Sequence, residues 1–257
     1  MTRELAKSRH SETTYRWNVT EAASGYDLAA EHIHPHYAEI QGIILDTLPF
    51  DEADAFTVLD AGGGSGRLVE HILDRFPRAG GVIVDQSEAF LALAERRLRR
   101  FGPRAVCHRT RLQDNWSALA GDGIDVIVSM SAIHHLDGDE KRDFYRRCFQ
   151  SLTAPGLLIN GDEVRLDNDD TYLSELRAWS IHMRGLIADG LVPVTMHQTM
   201  NGWIHRNVDC FGEPKQSGDD CHETTGAQLG CLAEVGFAPV DILWQQALWA
   251  VFTGQKP

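Results

Sequence analysis

The sequence predicts an α/β fold with a doubly wound, largely parallel sheet, and three observations carry this prediction. Residues 56–59 form an apolar run, a glycine-rich turn follows at 62–66, and an amphipathic helix pattern begins at Leu68. This strand–turn–helix order opens a nucleotide-binding βαβ unit. Apolar runs and helical patterns then alternate as far as residue 163. A chain of 257 residues is long enough to bury one full α/β core and to carry an insertion.

Each predicted element follows from its apolar pattern and from the residues that bound it. Short apolar runs predict strands over residues 56–59, 82–84, 105–107, 124–130, 157–160, 240–244 and 247–253. The last two runs are close enough to form a hairpin. Helical spacing, with Pro or Gly at the ends, predicts helices over residues 35–48, 68–76, 87–101, 137–154, 170–189 and 224–235.

Capping residues set where three of these helices begin. Asp137 and Glu140 have the spacing of a capping box, in which each side chain accepts a hydrogen bond from the other residue's backbone. Asp170 is the predicted cap of the helix that follows the fifth strand. Thr224, or the threonine after it, is the predicted cap of the last helix.

The regular alternation breaks after the fifth strand. Residues 191–222 are predicted to be irregular and are rich in His, Trp, Gly and Asp. We therefore predict an N-terminal helical cover at 1–50 and a Rossmann-like domain at 51–257, with 164–222 as a substrate-lid insertion. Residues 1–14 are polar and are predicted to be loosely ordered.

Aromatic residues in the N-terminal segment allow two roles. Tyr15, Trp17 and Tyr26 stand in otherwise polar sequence. They either pack the helix at 35–48 onto the core or form a lid over a bound ligand, and the sequence leaves both roles open.

The residue before the glycine turn discriminates between kinds of ligand. The dinucleotide pattern G-x-G-x-x-G fits badly, because its last position falls on Arg67 or Val69. Asp60 would repel a pyrophosphate placed at the N-terminus of the following helix. The same carboxylate suits a cationic ligand such as S-adenosylmethionine (SAM), which carries a sulfonium and an ammonium group. An ordinary glycine-rich turn in an α/β protein is the alternative.

Two further aspartates lie where a nucleoside would need acceptors. Asp85 ends the second predicted strand, roughly 20 residues beyond the glycines, where a ribose-binding carboxylate belongs. Its two oxygens can accept from two hydroxyl groups. Asp114 follows the third strand and is the candidate acceptor for an adenine amino group, or else a solvated turn residue.

The order of these motifs resembles that of the class I SAM-dependent methyltransferases. The resemblance is carried by VLDAGGGSG, VIVDQS, RLQD and IDVIVSMSAIHHL, and by Gly236-Phe237 before the last two strands. It covers roughly residues 30–257 and is strongest among small-molecule methyltransferases of bacteria. A fainter likeness to carboxy-SAM synthase is carried by Pro35, Tyr37 and LWQQALWAVFTG, but no arginine here maps onto that enzyme's carboxylate-binding residue.

The resemblance implies a seven-stranded sheet with an antiparallel last strand, and SAM as the cofactor with S-adenosylhomocysteine (SAH) as the product. It implies in-line methyl transfer to a small-molecule acceptor. The alternatives are an enzyme that modifies the cofactor itself and a non-catalytic SAM-binding protein. The cofactor-binding residues that we predict are Asp60, Gly62, Gly64, Asp85, Gln86, Gln113, Asp114, Ser129 and Met130.

Candidate catalytic residues follow the fourth and fifth strands. His134 and His135 lie on the ligand-binding edge of the sheet, where a histidine can remove a proton near neutral pH. Glu163 faces the same edge and either binds substrate or caps a helix. His182, one helical turn after Trp179, is predicted to line the acceptor pocket with it, and core packing is the favoured alternative for Trp179. A purely structural role is the alternative for each of these histidines. If the acceptor is already nucleophilic, methyl transfer needs no base.

Histidines and cysteines are dense in the insertion, but no pair has a recognised metal-ligand spacing. His32 and His36 are four residues apart, yet Pro35 interrupts the helix that would align them. The sequence therefore predicts no metal site, because a pocket for a polar acceptor explains the same residues.

The amino-acid composition narrows the classes of partner and the location that we expect for this chain. The net charge of -13 argues against nonspecific nucleic-acid binding, and tRNA or protein remains a less favoured acceptor. No apolar run is long enough to span a membrane, and the first residues are too polar for a signal peptide. Five cysteines without a C-x-x-C pair are typical of reduced thiols, so we predict a cytoplasmic protein. A homodimer is compatible with the sequence.

Overall fold

The computed structural model describes residues 17–120 and 123–257, so Tyr15 and the polar segment 1–14 lie outside the described residues. Seven strands form one central sheet: β1 (Thr57–Ala61), β2 (Gly80–Asp85), β3 (Ala105–Arg109), β4 (Ile124–Met130), β5 (Leu152–Glu163), β6 (Val240–Gln246) and β7 (Trp249–Lys256). Their order in space is β3-β2-β1-β4-β5-β7-β6. Strand β7 runs antiparallel to both of its neighbours, whereas β1 to β5 pair in parallel. The predicted doubly wound, seven-stranded fold is confirmed.

Helices cover the sheet on both faces. Those of the described chain are α1 (Thr20–Ile33), α2 (Tyr37–Thr47), α3 (Arg67–Arg75), α4 (Glu88–Leu98), α5 (Gly138–Ser151), α6 (Asp169–Ala188), α7 (Val194–Ile204) and α8 (Thr225–Val235). Apolar residues form two buried clusters, one on each side of the sheet. Strands β1 and β4 are buried almost throughout, which explains why they read as continuous apolar runs.

The capping predictions hold for two of the three helices. The Asp137 carboxylate accepts the backbone N–H of Glu140 at 2.9 Å, and Glu140 accepts that of Asp137 at 3.1 Å, which completes the capping box. Thr224 caps α8. The prediction of Asp170 as the cap of α6 is wrong, because Asn168 supplies the capping oxygen and the helix begins one residue earlier than Asp170.

The prediction that residues 191–222 are irregular is wrong for their first half. Helix α7 lies there, and a single π-helical turn follows it at His205–Asp209. The apolar residues that bury its inner face are Met196, Met200, Trp203 and Ile204. This stripe spans fewer than three turns, so its helical spacing is hard to distinguish from a loop until other helices cover it.

Helices α1, α6 and α7 pack against one another and form a cover, hereafter the cover helices. Asp27 of α1 joins this cover to the nucleotide-binding part. Its carboxylate accepts hydrogen bonds from Ser65 at 2.5 Å, Arg67 at 3.0 Å and Arg97 at 2.9 Å. Burial alone would raise the pKa of Asp27, but these three donors outweigh it and lower that pKa.

Among the residues that the structure describes, no helix combines the length and apolar character needed to cross a bilayer.

Candidate active site

A cavity opens at the carboxyl edge of the sheet, between the glycine turn and the cover helices. Parallel strands end at this edge, and the strand order reverses between β1 and β4. Such a switch point is where α/β sheets bind ligands. The turn and the ends of β2 and β4 line one half, hereafter the cofactor half. The cover helices and the end of β5 line the other, hereafter the acceptor half.

The glycine turn takes a conformation that glycine adopts most readily. Gly62 and Gly64 have φ angles of +75° and +51°. A Cβ atom on Gly62 would lie 2.5 Å from that of Ala132. The backbone N–H of Gly64 donates to the Asp85 carboxylate at 3.0 Å, so the turn is fixed to the end of β2.

Asp60 and Asp85 bring one buried and one half-buried carboxylate into the cofactor half. Burial raises the pKa of Asp60 to about 8, and the nearby Asp85 carboxylate adds to this effect. Burial also raises the pKa of Asp85 to about 6, although backbone N–H groups including those of Ser87 and Gly64 oppose the rise. Groups perturbed in this way are frequent at functional sites.

The residues of the cofactor half fit a cationic nucleoside such as SAM. Asp85 accepts two backbone hydrogen bonds, one on each oxygen, and a carboxylate retains further lone pairs for ribose hydroxyls. The buried Ser131 hydroxyl lines the cavity and has no hydrogen-bond partner within the described ranges. Ser131 also has a φ of +52°, a strained conformation that is often found at ligand sites.

Most of the predicted cofactor residues line the cavity. Those that do are Asp60, Gly62, Gly64, Asp85, Gln86, Gln113 and Met130. Asp114 is instead exposed and does not line the cavity, because the turn after β3 directs it to solvent. Ser129 is buried within β4, where its hydroxyl donates to the Ala61 carbonyl at 2.7 Å, so its side chain holds two strands together. The binding roles themselves remain predictions.

His134 is a buried histidine held in a fixed orientation. Its Nδ1 lies 2.7 Å from Oδ1 of Asp162, and its backbone N–H donates to Oδ2 at 3.0 Å. Burial lowers the pKa of His134, but Glu163 and Asp162 more than offset this and raise it to about 9. His134 therefore carries its own proton near neutral pH rather than accepting one.

Glu163 lies beside His134 and forms a chain of hydrogen bonds. Its Oε2 is 3.0 Å from Nε2 of His222, whose Nδ1 is 2.6 Å from the Tyr172 hydroxyl. On the other side, Nδ1 of His34 is 4.0 Å from Oε1 of Glu163. The sequence pattern indicates no role for His222 or Tyr172, because only the folded insertion brings them to the end of β5.

His135 lines the same boundary between the two halves. Its Nδ1 lies 3.1 Å from the carbonyl oxygen of Asp219, so Nδ1 carries the proton that it donates. In the neutral ring this leaves Nε2 as the basic nitrogen. The Asp220 carboxylate is 3.7 Å from Nδ1 and also accepts from Arg206 at 3.2 Å.

The segment that carries Asp220 and His222 is fixed to the sheet and to α5. The backbone N–H of Cys221 donates to the carbonyl of His134 at 2.7 Å. The buried Lys141 ammonium donates to the Cys221 carbonyl and lies 3.3 Å from the Glu223 carboxylate.

The prediction that His182 lines the acceptor pocket is not met. Its Nε2 lies 2.7 Å from the carbonyl oxygen of His32 on the outer side of the cover, and it lines a separate shallow depression. Trp179, one turn earlier, does line the cavity. The two residues share one face of α6 and both line this depression, but only Trp179 also reaches the cavity.

Aromatic and sulfur-containing side chains form the wall of the acceptor half. Trp179 and Trp203 meet edge to face with ring centroids 4.2 Å apart. Tyr26 of α1 completes the wall, and its hydroxyl is 2.8 Å from Nε2 of His34. Of the two roles considered for the N-terminal aromatics, Tyr26 and Trp17 therefore line the cavity while also packing on one another. The methionines of this wall are Met183, Met196 and Met200.

Comparisons with known proteins agree with this arrangement. The family model of a methyltransferase domain matches residues 59–158. Phenazine O-methyltransferase PhzM of Lysobacter antibioticus is 26% identical over 181 residues, which cover 70% of this chain and 47% of that protein. The chain thus spans about half the length of this curated relative.

Solved structures share the fold at low sequence identity. An O-methyltransferase family protein from Burkholderia thailandensis superposes with a TM-score of 0.64 and 18% identity, over 96% of this chain and 65% of that chain. The structure of PigF with SAH superposes with a TM-score of 0.65 and 17% identity, over 97% of this chain and 63% of that chain. The structure of a DhpI–SAH complex superposes with a TM-score of 0.60 and 14% identity, over 92% of both chains. The chain thus contains a methyltransferase domain over residues 59–158, and its seven-stranded sheet has the fold of these methyltransferase structures.

Proposed function

We propose that this protein transfers a methyl group from SAM to a hydroxyl oxygen of a flat, aromatic small molecule. One observation carries the proposal: a single cavity joins the cofactor half to a wall made mainly of tryptophan and methionine side chains, with His135 and Glu163 at the boundary between them. Aromatic rings pack well against such a wall. The relatives are named as methyltransferases, and PhzM is named for a phenazine, which supports an aromatic acceptor.

Bound SAM would supply an electrophilic methyl group. In this proposal Asp60 faces the positive charge of SAM, and Asp85 accepts hydrogen bonds from the ribose hydroxyls. The glycine turn lets the backbone approach the cofactor closely. The cover helices exclude water and orient the acceptor, and positioning of this kind contributes several kcal/mol to catalysis. We retain the division into a cover at 1–50, a domain at 51–257 and a lid at 164–222 as part of the proposal.

The acceptor hydroxyl must lose a proton as its oxygen is methylated. We assign that proton to Nε2 of His135, because its Nδ1 is engaged with the Asp219 carbonyl. His134 already holds a proton between carboxylates, and it positions the boundary rather than accepting a second proton.

The test measures cofactor binding and methyl transfer separately. We expect SAM and SAH to bind in calorimetry, and mass spectrometry to show one added methyl group on phenolic acceptors but not on matched amines. Trp203→Ala is expected to lower kcat/KM for a phenol about 10-fold while SAH affinity is kept. Trp244→Ala is the matched control, because Trp244 packs against His36 and does not line the cavity.

Loss of the proposed base gives a second readout. His135→Gln is expected to lower kcat about 100-fold without weakening SAH binding. His182→Gln, which changes a histidine outside the cavity, should leave kcat unchanged. SAH binding without transfer to any phenol, or a carboxylated cofactor that co-purifies with the protein, would contradict the proposal.

A homodimer also belongs to the proposal. The cover helices expose the apolar side chains of Leu28, Ile181 and Val194, and burying them against a second copy would remove apolar surface from water. Light scattering is expected to give twice the chain mass, and an unchanged dimer after Leu28→Asp would contradict this surface assignment.

A further inference from the structure

Three metal-binding side chains meet beside the cavity, where two of them, His134 and Glu163, line its boundary. His134, Glu163 and His222 each offer one ligand atom, and these atoms all lie within 4.8 Å of one another. Their side chains are only 5%, 4% and 2% exposed. We propose that this triad binds a divalent first-row metal ion, with Zn²⁺ the best match to its ligands.

The ligand set favours such an ion over Mg²⁺ or Ca²⁺. Two imidazoles and one carboxylate are typical of zinc sites that keep a fourth position open, whereas hard cations prefer oxygen ligands alone. Small shifts suffice for binding, because His222 Nε2 and Glu163 Oε2 are already 3.0 Å apart and two ligands of a tetrahedral ion are separated by slightly more.

Groups behind the triad already orient both histidines. Asp162 holds Nδ1 of His134 at 2.7 Å, and the Tyr172 hydroxyl holds Nδ1 of His222 at 2.6 Å. Each ring is thereby left to present Nε2 to the triad. Metal-binding histidines commonly have a carboxylate or another polar partner on their second nitrogen, which fixes the ring and raises its basicity.

The local charge also favours a cation. Asp162, Glu163 and Asp220 are three carboxylates buried to 97% or more around His134. Arg206 pairs with Asp220, and Lys141 lies against the Cys221 carbonyl and Glu223, so the His134 imidazolium is the remaining cation beside these carboxylates in the described chain. A metal ion would take its place, and binding would release the proton of His134. Buried carboxylates require compensation, and a divalent ion supplies it.

A buried nitrogen without a partner points at the same place. His34 is 6% exposed, and within residues 17–120 and 123–257 no hydrogen-bond partner reaches its Nδ1. This nitrogen lies 4.0 Å from Oε1 of Glu163. A ligand beside Glu163, such as metal-bound water, would give it a partner.

Because His134 and Glu163 line the cavity, an acceptor hydroxyl in the cavity could take the remaining position on the ion. A hydroxyl oxygen bound there would have a lowered pKa, and its proton would pass to His135. This consequence rests on the proposed function, whereas metal binding does not, so the two can fail separately.

The test begins with the full chain after treatment with a chelator. Titration with Zn²⁺ against a chromophoric chelator, with elemental analysis of the gel-filtered protein, is expected to show about one equivalent bound. Co²⁺ in its place should give the visible spectrum of a four-coordinate N/O site without a thiolate charge-transfer band. His222→Gln should abolish binding, and Tyr172→Phe should weaken it about 10-fold.

A second cluster supplies the matched control. His205 lies 3.6 Å from the Cys210 sulfur in the same part of the chain and offers a site for adventitious zinc. His205→Gln is expected to leave the stoichiometry unchanged, and SAH affinity of every variant reports whether the protein is folded. Absence of Zn²⁺ binding in protein that binds SAH overturns the proposal, as does loss of binding in His205→Gln but not in His222→Gln.

Discussion

At the scale of single residues, the cofactor half depends on carboxylates in an environment that disfavours their charge. Asp60 is 2% exposed and its pKa lies near 8, so its carboxyl is mostly protonated at pH 7. A cationic ligand reverses this balance, because it stabilises the ionised form. In the proposed site, binding of SAM and ionisation of Asp60 are therefore linked.

This linkage predicts that SAM binding at pH 7 releases a proton. The heat of binding is expected to change with the ionisation enthalpy of the buffer, in calorimetry performed in phosphate and in Tris. Release should approach one proton per site and vanish near pH ~9.5, where the free carboxyl is already ionised. SAH, which lacks the sulfonium charge, should release less.

Asp60→Asn is expected to remove the buffer dependence and to weaken SAM binding about 10-fold. Asp114→Asn, a change outside the cavity, should alter neither quantity. Equal heats in the two buffers for the unmodified protein at pH 7 would show that Asp60 is not the linked group.

The sequence locates residues of the site that directly follow a strand, and misses those that reach it from elsewhere. Asp60, Asp85 and Glu163 each end or follow an apolar run, and parallel strands bring their ends to one edge. Tyr172 and His222 come from a helix and a loop whose paths depend on packing. No local pattern predicts their meeting with Glu163.

At the scale of elements, close packing between helices and strands fixes the position of the site. Helix α2 lies directly on β5, the strand that carries Glu163. Gly161 leaves room for Ile40 of that helix, because a Cβ atom at Gly161 would lie 2.4 Å from Cγ2 of Ile40. The sequence predicted both elements, but it offered no sign of which helix would contact which strand.

Gly161→Ala is therefore expected to destabilise the protein by about 1–3 kcal/mol, because α2 must shift away from β5. Thermal unfolding should show a fall in Tm of several degrees. Gly230→Ala is the control, since Gly230 lies in α8 and a Cβ atom added there would have no neighbouring atom within 4 Å. That variant should be unchanged or slightly more stable, because alanine favours helix.

If Gly161→Ala unfolds at the same temperature as the unmodified protein, α2 does not pack on β5 as closely as the structure has it.

At the scale of the whole molecule, one carboxylate connects the cover to the nucleotide-binding part. Asp27 accepts from Arg67 and Arg97, and its side chain is 13% exposed. Separation of the cover helices from the glycine turn would break this contact, so the contact opposes such an opening. Two long-range ion pairs of this kind lie beyond what a sequence pattern can indicate.

Asp27→Asn is expected to speed SAH dissociation about 10-fold in stopped-flow measurements, because both ion pairs are lost. The control is Asp46→Asn, which removes an exposed ion pair with Arg75 and should not change the rate.

The contact of Asp27 should also depend on pH. The pKa of Asp27 lies below its ordinary value of 3.8, so the contribution of this carboxylate to closure is complete above about pH 4 and is lost as the pH falls further. A dissociation rate that Asp27→Asn leaves unchanged would remove Asp27 from the control of opening.

The buried side chain of Lys141 fixes the loop on the polar side of the cavity. This buried ammonium ties the loop that carries Asp220 and His222 to α5, and the Cys221 N–H ties the same loop to the His134 turn. The same loop is also tied to the cover, because Tyr172 of α6 contacts His222 and Arg206 after α7 pairs with Asp220. The polar wall therefore joins the sheet to the cover helices. A shift of α6 would reposition His222, so movement of the cover and the geometry of the polar wall are coupled.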